Sequence, residues 1–176
     1  MTVSALSHPP RHTLSLIVEN RPGVLARVSS CLARRGFNIH SLAVGPTIDP
    51  GLSRITVVVE SEKIEQVKKQ LHKLINVIRI FELEPSKAVE RETMLIRVAT
   101  TPSARTEAIE VANIFKANVV DVGYNSLTFE VTGRPAKLND LIELLRPFGV
   151  VELVKSGRIA IGRAAKSKPA RIRAVG

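Results

Sequence analysis

Residues 12–45 read HTLSLIVENRPGVLARVSSCLARRGFNIHSLAVG, and this stretch decides the fold. It opens with an apolar run typical of a buried strand and then reaches a polar turn at residues 20–23. Apolar residues at helical spacing follow over residues 22–35, with Gly36 just past their end. A second strand pattern begins at Asn38. The sequence therefore predicts strand, helix and strand in immediate succession.

The rest of the chain completes this unit and then repeats its order. Strand patterns at 54–60 and 77–83, with a helix pattern at 62–74 between them, give the order βαββαβ. The second half shows strand patterns at 93–99, 118–122, 127–131, 150–154 and 158–161, with helix patterns at 104–116 and 135–145. We therefore predict an α+β fold of two tandem ferredoxin-like βαββαβ units.

The domain boundaries follow from these patterns. We place the first domain at 12–86 and the second at 92–162, separated by a charged linker around 87–92. The ends, 1–11 and 163–176, are predicted to be flexible.

Composition narrows the classes of protein that this chain can be. A 44% hydrophobic content over 176 residues is typical of folded, core-forming protein. No apolar run approaches the roughly 20 residues that a membrane span needs, and residues 1–11 lack the pattern of a secretory signal. Cys31, the only cysteine, falls on the apolar stripe of the first helix and is expected in the core. These features predict a cytoplasmic protein without a membrane partner.

The net charge of +10 is concentrated at one end of the chain. Six basic and no acidic residues lie from Arg158 onward, which leaves 20 basic against 16 acidic residues elsewhere. Such a tail is typical of a solvated, mobile end, although an acidic partner surface or a nucleic acid remains open. An RNA-binding ferredoxin-like module is the alternative function, but the third strand, RITVVV at 54–59, offers no aromatic side chain to stack on bases.

The junction of the first strand and first helix has the residues of a small polar pocket. A helix N-terminus presents unpaired N–H groups and the positive end of the helix dipole, both of which attract a carboxylate. Pro22 has no N–H, so Gly23, Val24 and Leu25 are the expected donors, and Gly23 lets a ligand approach the backbone. This chemistry suits a free amino acid better than a reaction.

Two asparagines and three aliphatic residues complete the expected pocket. The amide oxygen of Asn20 can accept from an ammonium group, and Asn38 offers a donor and an acceptor. Val24, Leu25 and Ile39 would form an apolar lining. From spacing alone a second interpretation stays open, in which Asn20 caps the helix and Asn38 only begins a strand.

No catalytic or metal-binding set can be assembled from the sequence. The four histidines, His8, His12, His40 and His72, lack metal-ligand spacing, and no glycine-rich phosphate loop is present. Glu107 and Glu110 lie three residues apart on one helix face and are interpreted as solvated. We therefore predict no catalytic residues, no metal and no cofactor.

Several long motifs, in order, carry a family resemblance. They are ENRPGVLARV, RRGFNIHSLAVGPT and DPGLSRIT in the first unit, then QLHKLINV from Gln70 and VERETMLIRV from Val89. Over about residues 12–162 the chain resembles the ACT-domain family of small regulatory subunits of acetolactate synthase (acetohydroxyacid synthase). The resemblance implies an ACT domain in the first unit. It also implies a non-catalytic subunit that activates a thiamine-diphosphate-dependent large subunit and confers feedback inhibition by valine in branched-chain amino acid biosynthesis.

The same resemblance implies where the effector binds. In that family the effector lies between the ACT domains of two subunits, which implies a homodimer paired through the open edge of the second strand. Asn38 of one subunit would then face the Asn20 loop of the other. The effector-binding residues carried over by motif are Asn20, Gly23, Val24, Leu25, Asn38 and Ile39. His40 stands where relatives often carry an acidic residue. The second unit is expected to serve assembly or contact with the large subunit.

Overall fold

Two βαββαβ units follow one another along the chain, as the sequence predicts. A computed structural model describes residues 9–164. The first unit consists of β1 (Arg11–Glu19), α1 (Val24–Ala33), β2 (Asn38–Pro46), β3 (Leu52–Glu60), α2 (Ile64–Leu71) and β4 (Val77–Leu83). Its antiparallel sheet has the strand order β2-β3-β1-β4, so β2 lies at an edge. The prediction of a ferredoxin-like unit is confirmed, including the edge position of the second strand.

The core of the first unit lies between this sheet and its two helices. Leu14, Leu16 and Val18 of β1 are buried on the helix side, where Val28 and Cys31 of α1 join them. Burial of these aliphatic side chains stabilises the unit at roughly 25 cal/mol per Å² of apolar surface removed from water. Cys31 is therefore a core residue, as the helical stripe predicts.

The second unit repeats the arrangement. It consists of β5 (Ala88–Ala99), α3 (Arg105–Ile114), β6 (Asn118–Val122), β7 (Ser126–Gly133), α4 (Pro135–Leu145), a short 3-10 turn (Arg146–Phe148), β8 (Val150–Lys155) and β9 (Ile159–Gly162). Its sheet order, β6-β7-β5-β8, matches that of the first unit strand for strand. Phe129 and Ile96 are fully buried in a separate aliphatic core.

The predicted linker at 87–92 is wrong, because most of it is strand. β5 begins at Ala88, and its first four residues pair with β9. This short two-stranded arm lies against the face of the first sheet that the helices leave open. There Thr13 donates a hydrogen bond to Glu90 at 3.2 Å, and Ser15 is fully buried. The charged residues of this segment suggest a linker in the sequence, but Glu90 has a partner in the other unit, Thr13.

A joint between the units, formed by Ser41, Leu42, Gly157 and Arg158, ties β2 to the loop between β8 and β9. The backbone N–H of Arg158 donates to Ser41 Oγ at 2.7 Å, and its guanidinium lies 3.5 Å from the Glu90 carboxylate. Gly157 has φ +81°, and a Cβ added there would lie 2.8 Å from the carbonyl oxygen of Leu42. Only glycine fits this position without strain.

The helix ends lie within three residues of the predicted ones, and those of α4 coincide with the prediction. α1 starts at Val24 rather than residue 22, because Gly23 adopts φ +81° as its N-cap. Gly36, with φ +70°, lies just past the end of that helix, as predicted. Of the ends predicted to be flexible, residues 1–8 and 165–176 lie outside the described residues, while Arg11 begins β1 opposite Glu60.

Candidate functional site

Asn20 joins the end of β1 to the turn between β2 and β3. Its backbone N–H donates to the carbonyl of Gly51 at 2.8 Å, and its amide Nδ2 donates to the carbonyl of Pro50 at 3.2 Å. The residue is exposed. The alternative in which Asn20 caps α1 is wrong, because Gly23 is the N-cap and no side chain caps the helix. The Asn20 amide keeps its oxygen as an acceptor for a ligand.

The first turn of α1 offers fewer N–H donors than the sequence suggests. The N–H of Val24 points back to the carbonyl of Arg21 at 3.4 Å, whereas that of Leu25 has no backbone acceptor among residues 9–164. A Cβ added to Gly23 would meet nothing within 4 Å, so the backbone is open to a ligand there. Gly23 and Leu25 are thus the donors available to an anion.

The aliphatic residues of the predicted pocket divide between surface and core. Leu25 is 41% exposed beside the loop. Val24 is buried in the first core, and Ile39 is half-buried and packs against the same core. Leu25 is therefore the aliphatic side chain that the described chain presents to a ligand at this loop. Val24 contributes to the helix position rather than to a lining.

Asn38 lies at the opposite end of the sheet from Asn20. The strand register places Asn38 opposite Glu60, and Glu60 opposite Arg11, the first residue of β1. At about 3.3 Å per residue, the nine residues of β1 separate the two ends by roughly 26 Å. The expectation that both asparagines surround one pocket within a single chain is therefore wrong.

A charged cluster that the sequence did not reveal surrounds Asn38. Asn38 Nδ2 and Arg11 Nε donate to the two carboxylate oxygens of Glu60, at 3.1 and 2.8 Å. The hydrogen bonds from Arg11 and then Asn38 hold the pKa of Glu60 below its ordinary value. His40 occupies a β-bulge, and burial together with the Arg11 charge lowers its pKa. This cluster depends on strand register, which has no local sequence signal.

Asn76, in the loop before β4, contacts both β1 and α1 near the β1–α1 loop. Its amide Nδ2 donates to Glu19 at 2.6 Å, and its amide oxygen accepts from Arg27 at 2.9 Å. Glu19 ends β1 and Arg27 belongs to α1, so one side chain holds strand, helix and the loop before β4 together. The sequence analysis missed this residue, since an asparagine in a loop usually indicates only a turn.

Within residues 9–164 no three His, Cys, Asp or Glu side chains group as a metal site would require. None of the described helices is long and apolar enough to cross a membrane. The sheet face on which RNA-binding domains stack bases is covered in the first unit, where Thr13, Thr56 and Val58 are buried.

The strand order, the helices on one face of the sheet and the open strand–helix loop define an ACT domain, followed by a second ferredoxin-like unit. Comparison with known families agrees with this class. Residues 14–79 match the family described as the AHAS small subunit-like ACT domain, and residues 91–164 match the family described as the small subunit of acetolactate synthase.

Individual relatives place the chain more narrowly. It is 52% identical over 156 residues to the acetolactate synthase small subunit of Mycolicibacterium smegmatis, covering 88% of this chain and 92% of that one. It is 49% identical to the probable small subunit of Archaeoglobus fulgidus, covering 89% and 99%. The crystal structure of the Thermotoga maritima small subunit superposes with a TM-score of 0.80 at 36% identity, covering 89% and 99%. The chain belongs to the family of acetolactate synthase small subunits.

Proposed function

We propose that this chain activates the thiamine-diphosphate-dependent large subunit of acetolactate synthase and makes it sensitive to feedback inhibition by valine. The chain would itself be non-catalytic and act in branched-chain amino acid biosynthesis. Family membership and the ACT domain support a regulatory role. The binding chemistry at the β1–α1 loop supports an amino acid as the effector. The cytoplasmic location expected from the sequence stays a prediction.

One observation carries the valine site: the two asparagines lie at opposite ends of a sheet whose edge strand is β2. If two copies pair their β2 edges antiparallel about a twofold axis, the Asn38 end of one chain meets the Asn20 end of the other. The separation that prevents a pocket within one chain then builds two equal pockets in a homodimer. Pairing would also satisfy the open backbone groups of the edge.

Each part of a bound valine has a partner in such a pocket. The N–H groups of Gly23 and Leu25, at the positive end of α1, would receive the carboxylate. The amide oxygens of Asn20 and of the other copy's Asn38 would accept from the ammonium group. Leu25 and the other copy's Ile39 would contact the branched side chain, while Val24 would hold the helix in place.

Reconstitution with the large subunit tests the proposal. We expect acetolactate formation to rise when this chain is added, and the added activity to fall as L-valine is titrated in. D-valine and glycine serve as controls. A site that contacts the carboxylate, the ammonium group and the side chain separately does not fit the D-enantiomer, and glycine has no side chain for Leu25 to contact. L-leucine and L-isoleucine define selectivity. Failure to raise the activity of the large subunit would contradict the proposed function.

A further inference from the structure

Arg11, Glu60 and Asn38 lie side by side across three strands at one end of the first sheet. The register places Asn38 of β2 opposite Glu60 of β3, and Glu60 opposite Arg11 of β1. Asn38 Nδ2 donates to Glu60 Oε2 at 3.1 Å, and Arg11 Nε donates to Glu60 Oε1 at 2.8 Å. The row therefore ends at Asn38, which is exposed on the edge strand.

Glu60 is the central and least exposed member of this row. Its side chain is 12% exposed, whereas that of Arg11 is 49% exposed. The hydrogen bonds from Arg11 and then Asn38 keep the pKa of Glu60 below its ordinary value, so the carboxylate is ionised at neutral pH. His40 lies 3.8 Å from the same carboxylate and, with its pKa below 6.5, is mostly uncharged at neutral pH. An ionised carboxylate has acceptors and no donor.

A neighbour that can only accept decides which end of the Asn38 amide is left for a ligand. A primary amide carries two donor hydrogens on its nitrogen and an acceptor on its oxygen, and rotation of the side chain exchanges their places. The nitrogen faces Glu60, because two acceptors cannot form a hydrogen bond. Within residues 9–164 the Asn38 oxygen accepts from no side chain. The free end of this amide is therefore an acceptor.

Asn20 is held with the same polarity by a different group. Its Nδ2 donates to the carbonyl oxygen of Pro50 at 3.2 Å. A backbone carbonyl has no hydrogen to donate, so the oxygen is again the free end of the amide. The two asparagines have unrelated partners at opposite ends of the sheet, yet both present an acceptor. Two acceptors suit a ligand group that has several hydrogens and a positive charge, which is an ammonium group.

We propose that Glu60 is a specificity-determining residue of the effector site, because it orients the Asn38 amide so that the site selects an ammonium group. Glu60 acts through Asn38 and does not itself contact the effector, so it is a positioning residue. Arg11 holds the Glu60 carboxylate in place. The inference rests on the proposed effector site, in which the other copy's Asn38 receives the ammonium group.

Glu60→Gln in the full chain tests the inference. Gln has nearly the same shape as Glu, but its amide both donates and accepts, so Asn38 is no longer held in one orientation. Calorimetry at neutral pH measures the binding of L-valine and of its α-hydroxy acid analogue, in which a hydroxyl replaces the ammonium group. We expect the affinity for L-valine to fall roughly tenfold. The affinity for the hydroxy acid should change less than about threefold, because a hydroxyl donates or accepts and suits either orientation.

Glu152→Gln is the matched control. It removes the same charge from an ion pair of the same length, since Arg97 Nη1 lies 2.8 Å from Glu152 in the second unit. No residue of the proposed effector site lies there, so we expect both affinities to stay unchanged. Thermal melts of the two variants confirm that each is folded at the temperature of the titrations. Both changes preserve the shape of a side chain on the surface of a sheet.

The outcomes separate this inference from the proposed function. If the unaltered chain does not bind L-valine, the proposed effector site is wrong and the inference is overturned with it. If the unaltered chain binds L-valine and Glu60→Gln loses no more affinity for it than Glu152→Gln does, only the inference is overturned. An equal loss for L-valine and the hydroxy acid also overturns it, because Glu60 would then only support the end of the strand.

Discussion

The two strand–helix loops of this molecule share a backbone frame but differ in what surrounds them. The N–H of Thr100 donates to the carbonyl of Asn125 at 2.9 Å, as that of Asn20 donates to Gly51 at 2.8 Å. In the first unit, Asn20 is exposed, and its counterpart Asn38 lies at the far end of the sheet. In the second unit, Thr100 is buried. The comparison teaches that the same backbone frame can leave its loop residue open at the surface, as Asn20 is, or bury that residue within its own unit, as Thr100 is.

The side chains at corresponding positions explain the difference. Gly23 adopts a left-handed conformation before α1 and leaves open space, so the first loop stays at the surface. The second loop reaches α3 through Thr101 and Ser103, whose hydroxyls are 3.0 Å apart, and the Thr101 hydroxyl accepts from the N–H of Ala104 at 3.3 Å. These contacts close the second loop on itself and tie it to Ala104, the N-cap of α3.

The largest expected effect comes from a charge at the first loop. Gly23→Asp places a carboxylate beside the proposed effector carboxylate, and we expect valine affinity to fall roughly 100-fold or more. Gly23→Asn is the matched control, because the Asn side chain has nearly the same shape as that of Asp, tolerates the same left-handed backbone conformation and carries no charge. Valine inhibition of the reconstituted enzyme measures both. Equal losses in the two variants would mean that backbone strain, not charge, causes the effect.

A second change breaks the joint that holds the two units together. Gly157→Ala combines a left-handed backbone with a Cβ 2.8 Å from the Leu42 carbonyl oxygen, and we expect a loss of roughly 2–3 kcal/mol of unfolding free energy. Gly45→Ala is the control, because its added Cβ meets nothing within 4 Å and no left-handed conformation is required. Urea unfolding measures both. If Gly157→Ala left the free energy of unfolding nearly unchanged, the joint would have to accommodate the added Cβ without strain, which contradicts this account.

The smallest effect concerns pH and depends on His40. Burial and then the charge of Arg11 keep the pKa of His40 below its ordinary value of 6.5, with Arg158 acting in the same direction and Glu60 and Glu92 opposing. As pH falls, the His40 side chain is therefore protonated at a higher pH in the unfolded chain than in the folded one. The contribution of neutral His40 to the free energy of unfolding is present above pH 6.5 and is lost as pH falls through the lower pKa of the folded state.

His40→Gln should remove this dependence. We expect it to reduce the stability lost between about pH 7.5 and 5 by a few tenths of a kcal/mol, because the side chain is partly exposed and solvent screens it. Urea unfolding at several pH values measures the slope, with the exposed His72→Gln as control. If the free energy of unfolding of His40→Gln varied with pH as much as that of the unaltered chain, His40 would not be the group responsible.

Much of the fold was accessible from sequence, since it depends on local patterns. Strand and helix patterns along the chain predicted both units and their order, and the usual strand order of a ferredoxin-like unit then predicted the edge position of β2. The arm formed by Ala88–Arg91 and β9 could not be predicted, because its charged residues suggest a linker until the pairing with β9 and the contact of Glu90 with Thr13 are known. Long-range pairing of this kind leaves no periodic signal.

The sequence predicted which residues share the first loop but not where Asn38 lies relative to them. Asn20, Gly23 and Leu25 lie together at one loop, as expected from their spacing. Asn38 does not join them in one chain, because strand direction and register place it beside Arg11. The burial of Thr100 was not predicted either, because the packing around a loop residue is known only when the surrounding atoms are.

Mixing two inactive variants tests the shared site most directly. Asn20→Ala and Asn38→Ala each remove one half of the proposed valine pocket, so neither homodimer should bind valine. In a heterodimer, isolated with two different tags, one pocket carries both changes and the other carries neither. We predict that calorimetry finds one valine bound per heterodimer with the affinity of the unaltered chain. A heterodimer that binds no valine would contradict a pocket built from Asn20 of one chain and Asn38 of the other.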